Sequence, residues 1–161
     1  MNTTTKAIIQ FTAAAAMAWL STAHAQAPAP YAKGLTLDMA GKCLNAAQAE
    51  ANKNKWAMAI TVVDDGGHLV AFARMDNTQI ASVRISMAKA RAANNFRRPT
   101  KVFQDRAASD VAVLGLPGVI TSEGGLPLMH DGKIIGAVGA SGGTAQQDGM
   151  TAKACADLLS K

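Results

Sequence analysis

Aromatic residues make up only 4% of the 161-residue sequence, with a single Tyr and two Trp. Few rings are available to stack on bases, and the 16 Lys and Arg residues are scattered rather than clustered. A formal net charge of +5 is therefore a mildly basic surface that can attract an anionic ligand, and it argues against nucleic-acid binding. Histidine is scarcer still, with three residues, of which His24 lies near the N-terminus. His68 and His130 alone cannot supply a three-histidine zinc site, and they make a catalytic triad hard to assemble. The two cysteines, Cys43 and Cys155, form no C-x-x-C pair, which argues against a metal-binding or thioredoxin-like role. Also missing are a G-x-S-x-G elbow, a P-loop and H-E-x-x-H, and Gly136, Gly139, Gly142 and Gly143 do not follow the G-x-G-x-x-G spacing.

The one long apolar run lies at the N-terminus. Ala7 to Leu20 follows the lone charge of Lys6 and leads to Ala23-His24-Ala25, the pattern of a secretory leader cut after Ala25. The run is interrupted by Thr12 and falls short of the roughly 20 apolar residues of a membrane span, and no later segment approaches that length. Residues 1–25 are thus expected to be a signal peptide and residues 26–34, with Pro28 and Pro30, a flexible tether. Residues 35–161 are expected to form a single domain, exported to the periplasm or secreted, with no span after cleavage.

The most informative stretch is 124–148. Asp131-Gly132 between two apolar runs supplies the positive φ angles of a primed hairpin turn. The strand after it, Lys133 to Ala140, carries Gly136 and Gly139, which implies that a helix or a ligand approaches its backbone closely. Ser141-Gly142-Gly143 leads to Thr144, a candidate cap for the last helix, so free amides near a helix start offer a place for an anion.

Upstream, Thr36 caps a helix from Leu37 to about Asn52 with Leu37, Ala40, Leu44 and Ala47 facing inward. Trp56–Val63 and His68–Met75 flank Asp64-Asp65-Gly66-Gly67 and read as a hairpin, with Phe72 and Arg74 on one face. Asp76-Asn77-Thr78 caps a helix from about Gln79, whose inward residues are Ile80, Val83, Met87, Ala90 and Asn94; Lys89 and Arg91 read as a solvated face. Pro99 stops that helix, Lys101 to about Asp110 forms another, and Val119-Ile120-Thr121 reads as a further strand. The last helix, about Gln146 to Leu159, points Met150, Ala154, Leu158 and Leu159 inward, with Gly149 inviting a close contact. This order of α, β-β, α-α, β-β-β, α predicts an α+β sandwich with an antiparallel sheet of about five strands. Buried apolar thiols are the default reading of Cys43 and Cys155, although an oxidising compartment also permits a bond between them.

Taken in order, several segments resemble the GlcG/HbpS heme-binding-like family: Val63-Asp64-x-x-Gly67 with Arg74-Met75-Asp76, Ala88-Lys89-Ala90 with Phe96, Gly124-Gly125-x-Pro127-Leu128, Gly136-x-x-Gly139-x-Ser141-Gly142-Gly143, and Asp148. The resemblance covers nearly all of residues 35–160. It implies a profilin-like or PAS-like fold around an antiparallel five-stranded sheet, assembly into homo-oligomers, and heme as a ligand.

The expected function is therefore an exported, non-catalytic heme- or tetrapyrrole-binding protein. Arg74, Lys89 and the Ser141-Gly142-Gly143 amides suit propionate or other carboxylate groups. His130 and His68 are the candidate iron ligands, each also readable as an exposed turn residue; Met58, Met75, Met87 and Met129 carry suitable sulfur but sit at core spacing. The alternative is a small enzyme or accessory factor of a periplasmic oxidation pathway acting on an organic acid. There Arg74 and Lys89 would hold a carboxylate and Asp76, Glu123 or Asp148 would serve as acid or base. Arg74 and Asp76 are equally able to pair with Lys89 or Asp148 and lock the hairpin to the helices.

Overall fold

The structure, a computed structural model, describes residues 34–159. The expected leader and cleavage site, and the tether through residue 33, lie outside the described residues. Helix α1 (Leu37–Lys53) precedes a hairpin of β1 (Ala59–Asp64) and β2 (Leu69–Arg74). Helices α2 (Ala81–Phe96) and α3 (Lys101–Ala107) and a 3-10 turn (Val111–Gly115) lead to a second hairpin, β3 (Gly125–His130) and β4 (Lys133–Ser141), and α4 (Ala145–Leu159) closes the order.

The two hairpins join through β1 and β4 into a four-stranded antiparallel sheet of order β2-β1-β4-β3. The fold is thus α+β as expected, with four strands among the described residues rather than five. Val119-Ile120-Thr121 pairs with no strand. Val119 N–H bonds back to the Leu116 carbonyl at 3.1 Å and Gly118 sits at φ 79, so turn chemistry on both sides leaves three residues too short to form a ladder.

Local signals account for most boundaries. Asp131 and Gly132 adopt φ 47 and 72, the double positive φ of a primed turn. Thr36 caps α1, accepting from Met39 N–H at 3.2 Å. Thr144 and Gln147 form a reciprocal capping box at α4, with Thr144 N–H on Gln147 Oε1 at 2.9 Å and Gln147 N–H on Thr144 Oγ1 at 3.3 Å. Helix α2 ends at Arg97, in the left-handed region at φ 54, two residues before Pro99. Its start differs from expectation: the cap position is Ile80, with no side-chain hydrogen bond.

The sheet has one helix layer on each face. On one, α2 lies over Ala59, Thr61 and Val63 of β1, which face Ser141, Gly139 and Ala137 of β4. Small residues meet small residues here. A Cβ on Gly139 would strike the Ser86 carbonyl and the Ala90 amide, and Thr61 Oγ1 bonds Ser86 Oγ at 2.8 Å. The close approach foreseen at the strand glycines is therefore made by a helix at Gly139, whereas a Cβ on Gly136 would strike the Val63 carbonyl of β1. The approach at Gly139 also sets the helix's rotation. Ser82, Ser86, Lys89, Ala90 and Ala93 are buried, whereas Ile80, expected inside, is 81% exposed, because only a face of small side chains can come this close to the strands.

On the opposite face, Ala40, Cys43, Ala47 and Ala51 of α1 and Ala152, Cys155, Ala156 and Leu159 of α4 cover Ile60, Val62, Leu128, Val138 and Ala140. Cys43 and Cys155 are joined by a disulfide with Cα atoms 4.3 Å apart, so the default of two separate thiols is corrected. The buried stripe of α4 is also displaced from the expected one, since Met150 and Leu158 are 45% and 39% exposed. A small-residue stripe again wins the interface, letting α1 and α4 approach closely enough for the cysteines to meet. Among the described residues no helix is long and apolar enough to cross a membrane.

Candidate functional site

The sequence-predicted site residues fall into three places. Lys89, Asp148, Ser141, Gly142, Gly143 and Glu123 gather around the start of α4. Lys89, expected on a solvated face, is 1% exposed and its Nζ lies 2.7 Å from Asp148 Oδ2. Asp148 Oδ1 accepts Gly143 N–H at 3.0 Å. The glycine-rich turn is thus an anion nest whose anion is the protein's own Asp148 carboxylate, with Lys89 as its counter-ion. Burial pushes the Asp148 carboxyl above its ordinary range, against the opposing pull of Lys89 and the Gly143 amide. An outside carboxylate would reach Lys89 only by displacing Asp148. Glu123 packs its carboxylate against Gly149, where a Cβ would collide with it; this is the close contact that Gly149 permits. Ser141 Oγ turns to Ser82 Oγ at 3.3 Å. This centre ties α2, α4 and the sheet together.

Arg74 and Asp76 stand elsewhere, and neither pairs with Lys89 or Asp148. They line a groove of about 620 Å³ with Lys55, Trp56, Met75 and Asn77; Gln48 and Asn52 of α1 complete the wall. The turn after α1, with Lys55 at φ 59, and the turn after β2, with Asn77 at φ 62, bring these residues to one rim. The groove's surface is mainly polar.

His68 and His130 line neither this groove nor the cleft described next. His68 is exposed, with Nδ1 3.3 Å from Asp64 Oδ1, and His130 lies at the Asp131 turn, 3.7 Å from its carboxylate. Met58 is fully buried. Among the described residues no group of three or more His, Cys, Asp or Glu is placed to hold a metal ion.

The outer stripe of α2 was not singled out from sequence. Arg84, Met87, Ala88 and Arg91 recur at helical spacing on one side. Gly118 and Ile120 face them across a cleft of about 410 Å³. Its surface is mainly apolar; along the helix Arg84 and Arg91 lie on either side of the half-buried Met87, and Asn95 follows one turn later. Arg91 Nε donates to the Gly67 carbonyl at 3.1 Å, which leaves its terminal nitrogens for a ligand. The two arginines are seven residues apart, about 10 Å along the helix. The spacing of 84, 87, 88 and 91 was readable as a stripe; the wall opposite, from a segment expected to be a strand, was not.

The family described as "Haem degrading protein HbpS-like" matches residues 35–157. Protein GlcG of Escherichia coli K12 is 44% identical over 108 residues, which cover 66% of this chain and 81% of that protein. The crystal structure of a double mutant of HbpS from Streptomyces reticuli superposes with a TM-score of 0.73 at 27% identity, covering 81% of this chain and 90% of that one. A structure described as a PduOC:heme complex shares the fold, with a TM-score of 0.70 at 24% identity, covering 78% and 94%.

Proposed function

The chain belongs to the HbpS-like family, and from that premise we propose that it binds heme or a related tetrapyrrole in the cleft along the outer stripe of α2. The observation that carries the reading is the make-up of that cleft. Heme needs an apolar wall for its macrocycle, cations for its propionates and a soft or imidazole donor for its iron. Ala88 and Ile120 supply the first, Arg84 and Arg91 the second, and the Met87 thioether the third. The residues present therefore fit the group, and bound there it would supply a redox-active iron. The family description and the heme complex of PduOC support the same ligand class.

The cleft's lining contains no His, Asp or Glu, hence no side chain suited to general acid or base work near neutral pH. We therefore read the part played by the chain's own side chains in this cleft as binding. Export after cleavage at Ala25 completes the reading, with an intact-mass measurement of the chain recovered from the periplasm as its check. So does a homo-oligomer, for which the exposed Val111, Leu114 and Leu116 offer an apolar contact; size-exclusion chromatography with light scattering tests it. For the ligand itself, the test is titration of the full chain with hemin followed by the Soret band. Saturable binding in the micromolar range or tighter is expected, and its absence overturns the proposal.

A further inference from the structure

We propose that the Trp56–Arg74 groove is a second, separate binding site, built for a small aromatic carboxylate that also carries a hydrogen-bond donor. Three charged side chains line it, Lys55, Arg74 and Asp76. None has a hydrogen-bond or ion-pair partner among the described residues, although Asp38, Glu50, Asp105, Asp110, Asp148 and Asp157 all face a Lys or Arg within 4 Å. Asp76 is thus left without a counter-ion in a chain that pairs most of its carboxylates. Two cations and one acceptor converge on one rim.

The rim's fourth element is an indole. Trp56 is one of two tryptophans in the chain and is half-buried in the groove wall. Its position is fixed by its own backbone, whose N–H bonds the Ala51 carbonyl at 2.9 Å and closes the end of α1. In the turn after β2, Met75 N–H bonds the Met58 carbonyl at 2.9 Å and Thr78 N–H the Met75 carbonyl at 3.2 Å. Both turns are therefore held by main-chain bonds, so the charged side chains project from a preformed frame.

The ligand follows from these parts. A guanidinium beside an ammonium selects a carboxylate. Asp76, which only accepts when ionised, selects a hydroxyl or amine. The indole gives a planar ring a surface to stack on. Gln48, Asn52 and Asn77 make most of the remaining surface polar, and Ala57 and Met75 leave too little apolar surface for a long aliphatic tail. The inference does not rest on heme binding, since the two sites share no lining residue.

The test uses the full chain carrying Trp19→Phe, so that Trp56 is the one tryptophan and reports on the groove directly. Titration with 4-hydroxybenzoate should change its emission saturably, with a Kd on the order of 0.1–1 mM, the range open to a ligand of about ten heavy atoms. Arg74→Gln and Lys55→Gln should each weaken binding by roughly fivefold or more while leaving the melting temperature unchanged, since both side chains are exposed. Asp76→Ala, which removes the acceptor, should remove the preference for 4-hydroxybenzoate over benzoate. No saturable change at concentrations up to about tenfold above that range, or equal affinity in the wild-type chain and both cation variants, overturns the proposal. A hemin titration that Arg74→Gln weakens as strongly as Arg84→Gln would also overturn the separateness of the two sites.

Discussion

Breaking the Cys43–Cys155 bond should be the most damaging single covalent change to the fold. The bridge closes a loop of 112 residues, nearly the whole described domain, and ties the first helix to the last. In the chain-entropy treatment a loop of that length removes about 16 cal/mol/K from the unfolded ensemble, or about 4.8 kcal/mol at room temperature. Native domains are stable by only about 5–15 kcal/mol, so reduction should lower the melting temperature by roughly 15–20 °C for a domain of this size. Both cysteines are 0% exposed, so the native protein should resist mild reductant and react only when opened. The assay is thermal unfolding by circular dichroism, with and without reductant applied under denaturing conditions and refolding before the scan. Thiol labelling in denaturant verifies the redox state. The Cys43→Ala/Cys155→Ala double variant should fall further than the reduced chain, by about 1–2 kcal/mol, because it also empties buried sulfur volume. If the fully reduced chain melts within a few degrees of the oxidised one, the loop-closure argument fails.

Lys89→Met leaves the Asp148 carboxylate buried without its counter-ion and should cost about 3–5 kcal/mol by urea denaturation, whereas Lys89→Met/Asp148→Leu should recover most of that loss. Because burial holds the Asp148 carboxyl above its ordinary range, the folded chain binds this proton more tightly than the unfolded chain. Its contribution to stability is therefore full below about pH 4 and is lost as pH rises through the raised value. Melting curves against pH should show that decline in the wild type and not in the double variant. Gly139→Ala places a Cβ against the Ser86 carbonyl and Ala90 amide and should destabilise by about 1–3 kcal/mol, read from the shift in urea midpoint.

What the sequence makes legible is what short-range chemistry decides. Asp131-Gly132 and Asp64-Asp65-Gly66-Gly67 locate both hairpins because their turns need those backbone angles, and Thr36, Thr144 and Pro99 locate helix ends through bonds made or forbidden within a few residues. Rotation of the helices is another matter. Apolar periodicity turns Ile80 and Met150 inward, yet the sheet face of β4 is cut down by Gly139 and flanked by Ala137 and Ser141, so α2 presents serine and alanine to it. Side-chain size there outweighs hydrophobicity, and no ranking by hydrophobicity finds such an interface.

The site divides along the same line. Arg74 and Asp76 are two residues apart in the chain and arrive together in the groove as spacing alone suggests. Lys89 reads as a surface charge because its partner Asp148 is 59 residues away, and only the packing of α2 beside α4 brings them together. The stripe of Arg84, Met87 and Arg91 lines a cleft only because residues 118–120 cross in front of it instead of joining the sheet.

The most direct test of the central claim compares hemin affinity in two charge-removing variants, Arg84→Gln/Arg91→Gln on α2 and Lys55→Gln/Arg74→Gln in the groove. A loss of tenfold or more in the first, on the order of 1.4 kcal/mol or greater, with the second close to wild type, is the predicted result. Hemin affinity that survives loss of both α2 arginines, or collapses only when the groove pair is removed, would contradict it.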